Sequence, residues 1–169
     1  MKENNTHTKK TYSLLNEIFN TAADGMGLID KEFNIFAINT TLSIMLKVDK
    51  EGIIGQKCYE VLAGPACKTE RCCLVRILNG AEQIEFETEK RRTDGVNIPC
   101  LVAAKPFFDA NGELAGIVED IKDISLLKNA ETKLQQSFQQ LRSALEGTIH
   151  AMSLAIEMRD PYTAGHQKR

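Results

Sequence analysis

The sequence predicts an α+β domain followed by one long C-terminal helix. Three observations carry that expectation. From Gln83 to Lys90, apolar and acidic residues alternate, with Ile84, Phe86 and Thr88 on one side and Glu85, Glu87 and Glu89 on the other. Such alternation is the pattern of a half-buried antiparallel strand. Asp109, Ala110, Asn111 and Gly112 suit a tight hairpin between "NIPCLVAAKPFF" and the β-rich run Leu114 to Val118, because Asn and Gly tolerate positive φ. At "DIS", Asp123 to Ser125, helical spacing begins, so the last strand feeds a long helix directly.

The remaining elements follow in order. Residues 1–11 read as a flexible tail. From Tyr12, the residues Leu14, Leu15, Ile18, Phe19 and Ala22 recur at helical spacing, until Asp24 and Gly25 break it. "GMGLID" and "FNIFAIN" are short β-prone runs joined by a turn at Asp30, Lys31 and Glu32. Asn39, Thr40 or Thr41 can cap a helix carrying Leu42, Met45 and Leu46. Gly52 and Gly55 punctuate, "QKCYEVL" is a further helical turn, and "AGPACKTE" is a loop. "RCCLVRILNG" is the next helix, with Leu74, Ile77 and Leu78 on one face and Gly80 just past its end. Asp94 and Gly95 make a turn, and Pro99 and Pro106 limit where the following strand donates.

Composition narrows the function classes. A chain of 169 residues holds one ordinary domain plus an extension. With 43% hydrophobic and 26% charged residues it is globular in character. A formal charge of −2 lacks the basic surplus that nucleic-acid binding wants. No apolar run approaches a membrane span, and the polar N-terminus lacks the apolar core of a secretory signal. Nucleic acid and membrane are therefore not expected partners, and the cytoplasm is the expected location.

The order β, β, short helices, then a three-stranded meander resembles the PAS domain of the sensory S-box type. The residues that carry the resemblance are "LNEIFNTAADGMGLID", "FNIFAINTTLSIML", "GIIGQKCYEVL", "RRTDG" and "PFFDANGELAGIVEDIKDIS", over 12–125. The resemblance implies a five-stranded antiparallel sheet with helices on one face and a cavity between them. Candidates for lining that cavity are Ile35, Met45, Leu74, Leu78 and Val102, which are also what a filled core would use.

From Ile124 the pattern becomes a heptad. Ile124, Glu131, Phe138, Leu145 and Met152 fall at a positions, with Leu127, Leu134, Leu141, Thr148 and Ala155 at d; eight of these ten are apolar. That predicts a parallel dimeric coiled coil over 126–150, the alternative being a lone amphipathic helix folded back on the domain. The segment 151–169 ends in "SLAIEMRDPYTAGHQKR", where Asp160–Pro161 should break the helix. Its "E-x-RDPYTAGHQ-x-R" resembles the opening of the HD-GYP domain, which hydrolyses cyclic di-GMP at a metal centre. By that resemblance His166 is a metal ligand, while the His-Asp pair and the Gly-Tyr-Pro signature are absent from this chain. The chain itself is therefore expected not to be an enzyme, and the full-length protein is expected to be a cyclic di-GMP phosphodiesterase.

Five cysteines, Cys58, Cys67, Cys72, Cys73 and Cys100, are the sharpest chemical feature. Three readings stay open: small buried hydrophobes, a reversible disulfide between Cys67 and Cys72 or Cys73, and a zinc or iron–sulfur site. A four-thiolate site would use Cys58, Cys67, Cys72 and Cys100, with Cys73 turned about 100° from Cys72 around the helix. The spacing Cys67-x4-Cys72 is looser than a structural zinc knuckle. Flavin is not expected: Cys58 sits where the reactive cysteine of flavin-binding PAS sensors lies, but Lys57 and Tyr59 replace the neighbours that would hold the flavin. Haem is not expected either, since His7, His150 and His166 all lie outside the probable sheet domain. Two functions of different class remain, a sensory and dimerising module that regulates a phosphodiesterase, or a piece of the enzyme that contributes catalytic ligands. A third is a ligand-free PAS dimerisation domain.

Overall fold

The structure, a computed structural model, describes residues 2–159. His166, the Asp160–Pro161 break and most of the HD-GYP-like string lie outside the described residues. The chain divides into two compact units, Met1–Ser125 and Leu126–Arg169. The first holds α1 (Lys2–Thr21), β1 (Gly25–Asp30), β2 (Ile35–Ile38), α2 (Thr40–Leu46), α3 (Cys58–Val61), α4 (Cys73–Leu78), β3 (Ile84–Arg91), β4 (Asn97–Phe108) and β5 (Leu114–Asp123). Where a flexible tail was expected over 1–11, the structure has helix from Lys2. That stretch contains neither proline nor glycine, so nothing in it stops a helix.

The strands form one five-stranded antiparallel sheet, as expected, and their order in it is β2-β1-β5-β4-β3. Two of its turns use the same device. Asp30 Oδ1 accepts hydrogen bonds from the backbone N–H of Glu32 at 3.0 Å and Asn34 at 2.7 Å, and Phe33 takes a left-handed φ of 69° to close the turn. Asp109 Oδ1 likewise accepts from Asn111 at 2.8 Å and Glu113 at 3.0 Å, with Gly112 at φ 80°. Both are side chains standing in for backbone acceptors in a tight turn.

Asn39 joins the first helix after the hairpin to the sheet. Its Oδ1 caps α2 through Leu42 N–H at 2.8 Å and also accepts from Met26 N–H at 2.9 Å, while its Nδ2 donates to the Asp24 carbonyl at 2.9 Å. The residue is fully buried, and all three bonds compensate that burial. Between sheet and short helices lies one apolar core: Leu42, Leu46, Leu74 and Ile77 from the helices meet Ile29, Ile35, Val102, Ile117 and Ile121 from the strands. The two edges of the sheet differ. β2 is short, whereas β3 is eight residues long and turns Glu85, Glu87 and Glu89 outward.

Ile124 N–H donates to the Pro99 carbonyl at 3.0 Å, and the next residue begins α5 (Ser125–Arg159). This helix crosses the boundary expected at 150 without interruption. Its would-be seam is apolar and exposed, with Leu134 72% and Leu141 60% accessible. Among the described residues no helix is long and apolar enough to cross a membrane.

Candidate functional site

Strand alternation decides which side chains meet beneath the sheet. On β3 the inward row is Ile84, Phe86, Thr88 and Lys90; on β5 it is Ile117, Glu119 and Ile121. Two charged residues are thereby committed to the buried face, and they pair. Lys90 Nζ lies 3.5 Å from Glu119 Oε2, with side chains only 7% and 8% exposed. Lys90 also donates to the Leu62 carbonyl at 3.1 Å, an orphan acceptor at the C-terminal end of α3. One polar network thus ties α3, β3 and β5 together.

The network borders a cavity of about 30 Å³. Cys58, Cys67, Cys72 and Cys73 line it together with Lys90 and Glu119, and Ile29, Leu62, Leu74, Val102 and Ile117 complete its apolar wall. Near its rim, the Lys68 ammonium sits over the Tyr59 ring at 4.3 Å, and the Tyr59 ring meets Phe33 edge-on at 5.9 Å between centroids. A cation over a ring face is attracted by its quadrupole, which holds the loop carrying Cys67 against α3.

Burial alone would lower the Lys90 pKa. The Glu119 carboxylate, and after it Cys67, Cys73 and Cys58, outweigh that and hold the ammonium above its ordinary value. On the thiols burial acts in the opposite sense. Burial, then the Glu119 charge, pushes Cys58 up to about 12. The same two causes raise Cys73 further, and burial followed by Asp123 raises Cys100 to about 11. All three therefore stay protonated at neutral pH, and a protonated thiol is a poor nucleophile. Brief iodoacetamide treatment of the native chain near pH 7.5 should accordingly modify the half-exposed Cys67 and Cys72 well before Cys58, Cys73 and Cys100. Mass spectrometry of the peptides reads the order. Equal labelling of Cys58 or Cys73 would contradict it.

The structure gathers some of the expected site residues and separates others. Leu74 and Val102 line the cavity, while Ile35 is sealed in the core at 1% exposure. Met45 lines a separate depression with Ala23, Ile44 and Ile121. Leu78 ends a helix of only six residues and is 43% exposed, so it does not face the cavity. Cys73 stands where Cys100 was expected. Cys72 is the cap before α4, with a non-helical ψ of 133°, so the helical turn between Cys72 and Cys73 does not apply and both reach the cavity. Cys100 is buried on one face with Ile98 and Val102, but its thiol donates to the Ile98 carbonyl at 3.4 Å and it is not part of the lining. All five cysteines are free, and among the described residues no three His, Cys, Asp or Glu side chains are placed to hold a metal ion. Lys90 and Glu119 were not anticipated. Their signal was phase, since each falls on the inward register of its strand.

A five-stranded antiparallel sheet over short helices, with a small cavity between them, defines the class of sensory domains that enclose their site beneath a sheet. The chain belongs to the PAS domain family, which its residues 23–125 match. Its fold is similar to that of the PAS domain of an HTR-like protein from Haloarcula marismortui, at a TM-score of 0.62 and 22% identity, covering 73% of this chain and 100% of that one. It is also similar to the PAS domain, in complex with ethanol, of a LuxR-family transcriptional regulator from Burkholderia thailandensis. There the TM-score is 0.50 and the identity 20%, covering 64% of this chain and 96% of that one. A curated relative, a signal-transduction and transcriptional-control protein from Clostridium beijerinckii, is 28% identical over 137 residues, 79% of this chain. The chain spans about one fifth of that relative's length, 20%. It is a sensory, signal-transduction PAS domain.

Proposed function

We propose that this chain is a cytoplasmic, ligand-sensing PAS module that dimerises through α5 and regulates an HD-GYP cyclic di-GMP phosphodiesterase domain. The observation that carries this reading is the position of Glu119. It borders the cavity from β5, and that strand passes through Ile124 into the 35-residue α5. A ligand that disturbs the Lys90–Glu119 pair acts on the strand whose backbone continues as the helix. The PAS domain from Burkholderia thailandensis, solved with ethanol, supports a small-molecule occupant. The string "E-x-RDPYTAGHQ-x-R" supports the identity of the output domain.

The chain alone is a regulator and not a catalyst on this reading. His166 is one ligand, and a hydrolytic site of this kind holds metals that clamp both attacking and leaving oxygens. The purified 169-residue chain is expected to leave cyclic di-GMP intact, while the longer protein that carries it hydrolyses the dinucleotide with metal added. Chromatographic assay of linear product checks both. Cleavage by the 169-residue chain, or none by the metal-loaded longer protein, overturns the assignment.

A second reading is redox sensing by Cys67 and Cys72, favoured because both are half-exposed and line the same cavity. Oxidised glutathione would take two electrons and two protons from the pair, leaving as two molecules of reduced glutathione as the Cys67–Cys72 disulfide forms. Loss of two titratable thiols, restored by dithiothreitol, would establish it. Unchanged thiol content would remove it.

A further inference from the structure

We infer that the cavity is a site for a neutral molecule of two or three heavy atoms bearing a hydroxyl or carbonyl oxygen, held by the ammonium of Lys90. This rests on the reading above that the PAS cavity receives a ligand, and it names that ligand's chemistry.

Size sets the first limit. The cavity measures about 30 Å³. A single water-sized group needs about 10–15 Å³, so roughly two or three heavy atoms fill the space. The second limit is hydrogen bonding. An ammonium carries three protons. One goes to the Leu62 carbonyl and another faces Glu119, which leaves the third for a group that enters the cavity Lys90 helps to line. An acceptor oxygen is what that proton wants, while Leu74, Val102 and Ile117 favour an apolar remainder.

Charge sets the third limit. Lys90 and Glu119 cancel each other at 3.5 Å. The other titratable groups facing the space are the Tyr59 phenol and four thiols, Cys58 and Cys73 from the helices and Cys67 and Cys72 from the loop between them. Burial keeps Cys58 and Cys73 protonated. The site is therefore electrically balanced before anything enters it. An anion on Lys90 would leave two negative charges against one positive in a water-poor space, whereas a neutral acceptor leaves the balance intact.

Formamide and formate provide the test, because each has three heavy atoms and they differ chiefly in charge. The ¹⁵N-labelled 169-residue chain is titrated with each at constant ionic strength. Formamide should shift the amide resonances of Leu62, Cys73 and Glu119 saturably, with half-saturation in the millimolar range set by so few atoms. Formate should need at least roughly tenfold more, the effect of one uncompensated charge. Glu119→Gln keeps the shape but leaves the ammonium unbalanced, and should reverse that order. Lys90→Met should weaken formamide binding at least roughly tenfold by removing the donor. Equal or tighter formate binding by the wild type would make this an anion site and overturn the inference. So would unmoved amides at Leu62, Cys73 and Glu119, meaning a cavity for water alone, or an unreversed order in Glu119→Gln. Should either variant fail to fold, the wild-type pair still decides. Formamide binding with α5 resonances and oligomeric state unchanged would confirm the ligand class and remove the signalling reading.

Discussion

Replacing Glu119 with Leu should lower the stability of the PAS unit by about 3–5 kcal/mol, because it strands the Lys90 ammonium in the interior. The two side chains are 7% and 8% exposed, so water cannot take over the lost partner. The Leu62 carbonyl alone would remain to solvate the charge. The paired replacement Lys90→Met with Glu119→Leu should recover most of that loss, since apolar groups of similar volume in place of a buried pair are often neutral or stabilising. Urea denaturation reads both: the midpoint should fall sharply in the single variant and return in the double, with the slope unchanged. A single-variant loss under about 1 kcal/mol, the scale of a solvent-exposed pair, would mean that the network is open to water. If the double variant is stable yet mute to ligand, the pair was kept for sensing and not for folding.

The second large effect lies in α5. Leu134 and Leu141 are seven residues apart on one stripe, and both are more than half exposed. An exposed apolar stripe of this length favours a partner, and on the dimer reading proposed above that partner is a second copy of the heptad from Leu127 to Ala155. The wild-type chain should sediment as a dimer at micromolar concentration. Leu134→Lys with Leu141→Lys would place like charges across the seam, weakening association by roughly 4 kcal/mol, about a thousandfold in dissociation constant. At the same concentration that variant should sediment as a monomer with the PAS fold retained. A wild-type monomer, or a dimer indifferent to the two lysines, would move self-association elsewhere.

Much of the fold was legible in the chain because local chemistry and tertiary placement agree. β4 covers Asn97–Phe108, the run its β-prone composition marks, and Asn39 caps α2 as its residue type suggests. The glutamates of β3 alternate with apolar residues through to the end of the strand. What escaped were contacts set by strands that are not adjacent. Lys90 on β3 meets Glu119 on β5 across the intervening β4, and one sequence offers no sign that two inward charges share a space. Lys90 also ends its row, where a cation is ordinarily taken as solvated. Cys73 was misplaced for a local reason: α4 begins one residue later than the cysteine pair suggested, which puts Cys72 outside the helix.

The outward glutamates of β3 carry a further consequence for how copies of this domain meet. β3 is the long edge of the sheet, and outward backbone donors and acceptors run along it up to Arg91, whose N–H is taken by the Ala63 carbonyl. Such an edge is an open invitation to sheet extension between molecules. Two β3 edges laid antiparallel would bring Glu85, Glu87 and Glu89 of one copy opposite the same residues of the other, where like charges repel. Stacking of sheets into a growing ribbon is thus discouraged at the place most exposed to it. Raising the salt concentration or acidifying the solution far enough to protonate those carboxylates is the condition under which ribbon formation by this domain should first be seen.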